Sequence, residues 1–152
     1  MELWGVDEDM LNERAHRNTP ALFHTKIMPM TEMLNNVFLR METLSDGMPD
    51  AMDSADIPQF YVATNDHQIN GTSVMLYDGV LEGFAEQTGG DFYIIPSSIH
   101  EMLFLPATPD ADGNELPEMV RGVNAGCLDP DEILSDNAYL YHAEDGSVTL
   151  VS

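Results

Sequence analysis

Basic residues are scarce in this chain: 5 lysines and arginines stand against 27 acids, for a formal net charge of −22. Such a surface repels phosphate backbones and anionic lipid headgroups, which excludes direct nucleic-acid binding and docking to an anionic membrane. Cysteine is scarcer still. A single thiol, Cys127, rules out an internal disulfide and a cysteine-based structural zinc site, and it fits a reducing, cytoplasmic setting. No apolar run approaches the roughly 18 residues that cross a bilayer. The opening Met1-Glu2-Leu3-Trp4 lacks the basic-then-apolar order of a signal peptide. Gly79, Gly83, Gly89 and Gly90 have the wrong spacing for a phosphate loop. There is no Gly-x-Ser-x-Gly elbow and no His-Glu-x-x-His pair, so two common routes to hydrolysis are missing.

What is present is an ordinary apolar fraction, 43% over 152 residues, enough for one domain with a real core and too much for a disordered acidic tail. The charge is uneven. Residues 1–40 carry Arg14, Arg17, Lys26 and Arg40 against six acids, whereas residues 41–152 carry only Arg121 against 21. A field of that sign attracts basic proteins or cations.

Along the chain, 1–44 reads as a helical arm. Asp7 to Asn18 is a helix capped by Asp7, with Arg14 and Arg17 in its last turn and Met10, Leu11 and Ala15 facing the core. Thr19-Pro20 should end it, since the residue before proline avoids helical geometry. Ala21 to Met28 is a connector. Met30, Met33, Leu34, Val37, Phe38, Met41 and Leu44 recur at helical steps and predict a second helix. Residues 45–58 form an acidic loop rich in proline and glycine. The rest, 59–152, reads β-β-α-β-β-α-β-β. Gln59 to Thr64 and Ile69 to Tyr77 are strands joined by a turn at Asn65 to Gln68. Asp78 should cap a helix through Val80, Leu81, Phe84 and Ala85, with Gly89-Gly90 as its stop. Phe92 to Ile95 and Met102 to Leu105 are strands on either side of a tight turn. Glu115 to about Ala125 is a helix with Leu116, Met119, Val120 and Val123 inward. Asp129 to Leu134 is a short helical turn. Ala138 to His142 and Val148 to Val151 close the chain as a hairpin turning at Asp145-Gly146. The expected fold is α+β: a mostly antiparallel sheet of hairpins with helices on one face.

One string concentrates reactive side chains. Ser97, Ser98, His100 and Glu101 place two hydroxyls, an imidazole and a carboxylate within five residues, the parts of a nucleophile, base and orienter. Known relays draw these parts from separate segments, so the competing expectation is that the serines bond turn amides. His16, His24, His67, His100 and His142 are scattered. Asp110 to Glu115 resembles a calcium loop, but Arg121 occupies position twelve, where the loop needs glutamate. No metal and no cofactor is expected. Cys127 reads as a small buried side chain, and the eleven methionines as core.

Asn18 to Phe23, Lys26 to Met30, Met75-Leu76-Tyr77, Gly79-Val80-Leu81, Asp91 to Glu101 and Ser135-Asp136 together resemble an uncharacterised bacterial family. It is a domain of unknown function common in anaerobic gut bacteria. The match is to the C-terminal part of longer members, which implies a short member or a fragment. The resemblance implies no activity and no catalytic residue. Three functional expectations remain. The first is a non-catalytic acidic module that docks a basic protein, in its sharp form a nucleic-acid mimic. The second is a small hydrolase-like enzyme using Ser97, Ser98, His100 and Glu101. The third is a structural module whose Met30–Leu44 helix docks a missing N-terminal part of a longer chain.

Overall fold

A computed structural model of the chain describes residues 5–33, 59–96, 98–109, 113–127 and 130–151. The expected helix over 34–44 and the loop over 45–58 lie outside these residues; residues 30–33 are helical. The elements are α1 (Glu8–Leu22), β1 (Thr25–Pro29), β2 (Tyr61–Asn65), a 3₁₀ helix (Gly71–Leu76), α2 (Val80–Thr88), β3 (Phe92–Ile95), β4 (Met102–Pro106), a 3₁₀ turn (Gly113–Glu115), α3 (Leu116–Cys127), β5 (Ala138–Tyr141) and β6 (Val148–Val151). The strands form one sheet in the order β1-β2-β4-β3-β5-β6, with every neighbour antiparallel. The fold is α+β, as the sequence predicts.

The sheet is covered on both faces, because side chains alternate along each strand. Ala63, Met102, Phe104, Phe92, Ile94 and Tyr141 meet Phe84 and Ala85 of α2 on one face. Ile95, Leu105 and Ala138 meet Leu116 and Val120 of α3 on the other. The helices therefore do not share one face. The reason lies in β3 and β4, which carry apolar residues at consecutive positions and need cover on both sides. Phe84 centres the first layer, with its ring centroid 4.7 Å from Phe92, 5.0 Å from Phe104 and 5.1 Å from Tyr61.

Several expectations are corrected. Asp7 does cap α1, accepting the Met10 amide at 2.8 Å, but the helix runs through Pro20 to Leu22. Proline removes one amide near the end, and the Phe23 N–H still reaches the Thr19 carbonyl at 2.8 Å to close the last turn. Arg14 and Arg17 thus lie short of that turn, and no α1 residue is buried, Met10, Leu11 and Ala15 included. The supposed connector contains β1, which pairs with β2 from Thr25–Asn65 to Pro29–Tyr61.

Ile69 to Tyr77 does not form a strand. β1 and β4 already occupy both edges of β2, and the segment instead coils into the 3₁₀ helix that buries Val74. Asp78 does not cap α2. Gly79 takes the cap position at φ 77°, with no side-chain bond. Gly89, at φ 84°, stops the helix as expected.

In α3 the inward stripe is Leu116, Val120 and Asn124, four residues apart, and Met119 falls off it at 40% exposure. The side chains of Val123 and Cys127 lie outside the described set. Residues 130–132 make a turn and no helix. The closing hairpin forms as expected, Ala138 opposite Val151 and Tyr141 opposite Val148.

Candidate functional site

The β3–β4 connection is fastened from three directions. Ser98 is buried, and its hydroxyl oxygen accepts the amides of His100 at 3.1 Å and Glu101 at 3.2 Å. From the 3₁₀ helix, the Thr72 hydroxyl donates to the Ser98 carbonyl at 2.6 Å and its amide to the Ile99 carbonyl at 3.4 Å. From β2, the Thr64 hydroxyl donates to the His100 carbonyl at 2.8 Å. From the 130–132 turn, the Glu132 carbonyl accepts the Ile99 amide at 3.0 Å. Asn65, 1% exposed, folds the preceding turn by donating to the Ile69 carbonyl at 2.8 Å and accepting the His67 amide at 3.0 Å.

One ring nitrogen of His100 is hydrogen-bonded and the other lies near a carboxylate. Nδ1 accepts the Asn70 amide at 3.1 Å, so the proton of the neutral ring belongs on Nε2, which faces Glu132 Oε1 at 3.7 Å. The ring is thus engaged away from Ser98, while the serine oxygen caps two turn amides. Glu101 is half-buried; burial pushes its carboxyl above the usual range, and the neighbouring His100 opposes that shift. Ser97 lies outside the described residues. The sequence thus located the turn but missed Thr64, Asn65, Thr72 and Glu132. No local pattern could reveal them, because each reaches the turn from another element.

His24, His67 and His142 also face carboxylates. His24 Nδ1 lies 3.1 Å and His67 Nε2 3.7 Å from the Asp66 carboxylate, and the His24 hydrogen bond holds that carboxyl below its usual range. His142 sits 3.5 Å from Asp91 and its other nitrogen 2.9 Å from the Thr149 hydroxyl. Among the described residues, no group of three or more metal-ligating side chains is arranged to hold a metal ion.

Beside the turn, on the α2 face of the sheet, runs an apolar groove of about 320 Å³. Pro96 and Met102, at the two ends of the connection, line it with Met75, Leu134, Tyr139 and Val148. Leu134 and Val148 are 46% and 44% exposed, so the groove opens at the β6 side.

Among the described residues no acid is buried, and the contacts between carboxylates and basic side chains are made by histidine. No protein of established function and no solved structure matches the chain. A family model described as a family of unknown function (DUF5688) matches residues 1–143, and the chain belongs to that family.

Proposed function

We propose that this domain is a non-catalytic acidic interaction module that docks a basic protein. The supporting observation is that none of the described carboxylates is fully buried and that those in contact with a base meet weakly basic imidazoles, which leaves charge available to a partner. The broad form has more support than the nucleic-acid mimic. A mimic needs its acids on one face, whereas Glu82 and Glu86 ride on α2 and Glu118 on α3, on opposite sides of the sheet. The hydrolase reading has less support still, since Ser98 and His100 are engaged with other groups.

Among the described residues no helix is long and apolar enough to cross a membrane. A cytoplasmic location is part of this proposal, in keeping with the lone cysteine.

The test is affinity capture from host lysate with the folded domain as bait. A specific basic protein should be retained at low salt and released near 1 M, where the screening length falls to about 3 Å. A partner that survives that salt, or an acidic one, would sink the reading.

A further inference from the structure

The two edges of the sheet are unlike. β1 carries an exposed Lys26 and ends in Pro29, both of which discourage another strand from pairing there. β6, Val148-Thr149-Leu150-Val151, carries no charge and no proline, and among the described residues it pairs with β5 alone.

Its outward groups can be assigned. The His142 amide donates to the Ser147 carbonyl at 2.9 Å. Ladder bonds alternate in an antiparallel pair, so Thr149 and Val151 bond inward to Leu140 and Ala138. The amides and carbonyls of Val148 and Leu150 then face outward. Their side chains, 44% and 57% exposed, lie on the sheet face that carries the groove, and Val148 lines it.

The charges at the two ends of this strand have one sign. Glu144 and Asp145 form the turn before Val148, and Ser147 holds the Asp145 carboxyl below its usual range, keeping it ionised. Asp136 lies just before Ala138, which pairs with Val151 at the other end. Arg14, Arg17 and Lys26 belong to α1 and β1, at the far edge of the sheet.

We infer that β6 is a strand-addition site for an extended peptide whose apolar core is flanked by lysine or arginine. The peptide pairs with the outward groups of Val148 and Leu150, lays alternate side chains against the groove, and sets its flanking cations beside Glu144, Asp145 and Asp136. A second copy of a chain of charge −22 brings the wrong sign to the same edge. The inference rests on the basic-partner reading and narrows it to a surface and a binding mode.

The probe is a labelled Lys-Lys-Val-Thr-Val-Thr-Val-Lys-Lys peptide, followed by fluorescence anisotropy with the full chain. Three comparisons accompany it: the same peptide N-methylated along its Val-Thr core, the peptide with glutamates for lysines, and the Leu150→Pro chain, its fold checked by circular dichroism. The unmodified basic peptide should bind, and both N-methylation and Leu150→Pro should weaken it at least about tenfold, through lost main-chain hydrogen bonds. Equal binding of the methylated and unmethylated basic peptides would overturn strand addition and leave basic docking standing. Binding of the glutamate peptide as tightly as the lysine one would overturn the charge reading and keep the edge. A wild-type dimer in sedimentation that Leu150→Pro abolishes would assign the edge to a second copy and overturn the peptide. No binding by any peptide would overturn both readings.

Discussion

Gly71 leaves no room for a side chain. A Cβ there would collide with the Thr64 hydroxyl and the His100 carbonyl, which belong to β2 and to the turn before β4. Gly71→Ala should cost about 2–4 kcal/mol, at the upper end for an added methyl, because backbone atoms must shift; a denaturant midpoint close to the wild type would refute the contact. Ser98→Ala strips the acceptor from two amides and should cost about 1–3 kcal/mol. Under the interaction reading it leaves partner binding unchanged, and a loss of some hydrolytic activity in that variant would revive the enzyme reading. Two acids set opposite pH trends. The Glu101 carboxyl is raised by burial, so the folded state holds its proton longer than the unfolded one. Stability on its account is greatest below the ordinary glutamate range and declines as pH rises through the raised value. Asp66 is lowered by His24, so its contribution is present above the ordinary aspartate range and fades as pH falls through the lowered value. Unfolding curves of Glu101→Gln, followed from below the ordinary glutamate range upward, should lack the first decline. An unchanged slope would count against the burial account.

At the scale of elements, α2 shows where local signals suffice and where they do not. Its stop at Gly89 was legible because only one residue type takes φ 84° without strain. Its start was misread, because Asp78 has the right chemistry for a cap while the chain turns one residue later, at Gly79. Asp78→Ala should therefore change stability by less than about 0.5 kcal/mol, and Gly79→Ala should cost about 1–2 kcal/mol from left-handed strain. Thermal unfolding of the two variants separates the accounts, and the reverse order would restore Asp78 as the cap. The same distinction runs through the fold. β3, β4 and the β5–β6 hairpin were legible because their apolar runs and turn residues are contiguous. The 3₁₀ helix Gly71–Leu76 was not, since its apolar run looks like a strand until β1 and β4 are seen on both edges of β2. The helix-bearing faces were not legible either. Which face a helix takes follows from the path of the chain across the sheet, and no helix records that in its own residues. At the candidate site, the sequence supplied Ser98, His100 and Glu101, but the direction of the His100 ring depends on Asn70 and Glu132, some thirty residues away on either side.

For the molecule as a whole, the charge opposes the core. Carboxylates exposed on α1, α2, α3 and the connecting turns repel one another across the surface, and few cations relieve them. Added sodium chloride should therefore raise the melting temperature, by on the order of 3 °C between low ionic strength and about 1 M, the shift that about 1 kcal/mol gives a chain of this size. A flat response would mean that the surface acids are too far apart to matter. The order of the sheet carries one more consequence. β1 reaches the body of the fold through β2, by a five-residue register from Thr25 to Pro29, the Met30 amide on the Phe60 carbonyl, and the His24 and Asp66 contacts. The chain runs from Met33 to Gln59 before β2 begins. Opening the chain in that interval would leave the α1–β1 piece tied to the rest by this ladder and by Ile27 packed on the core. The two pieces should then co-elute in size-exclusion chromatography, and their separation would show that the β1–β2 ladder does not hold the arm by itself.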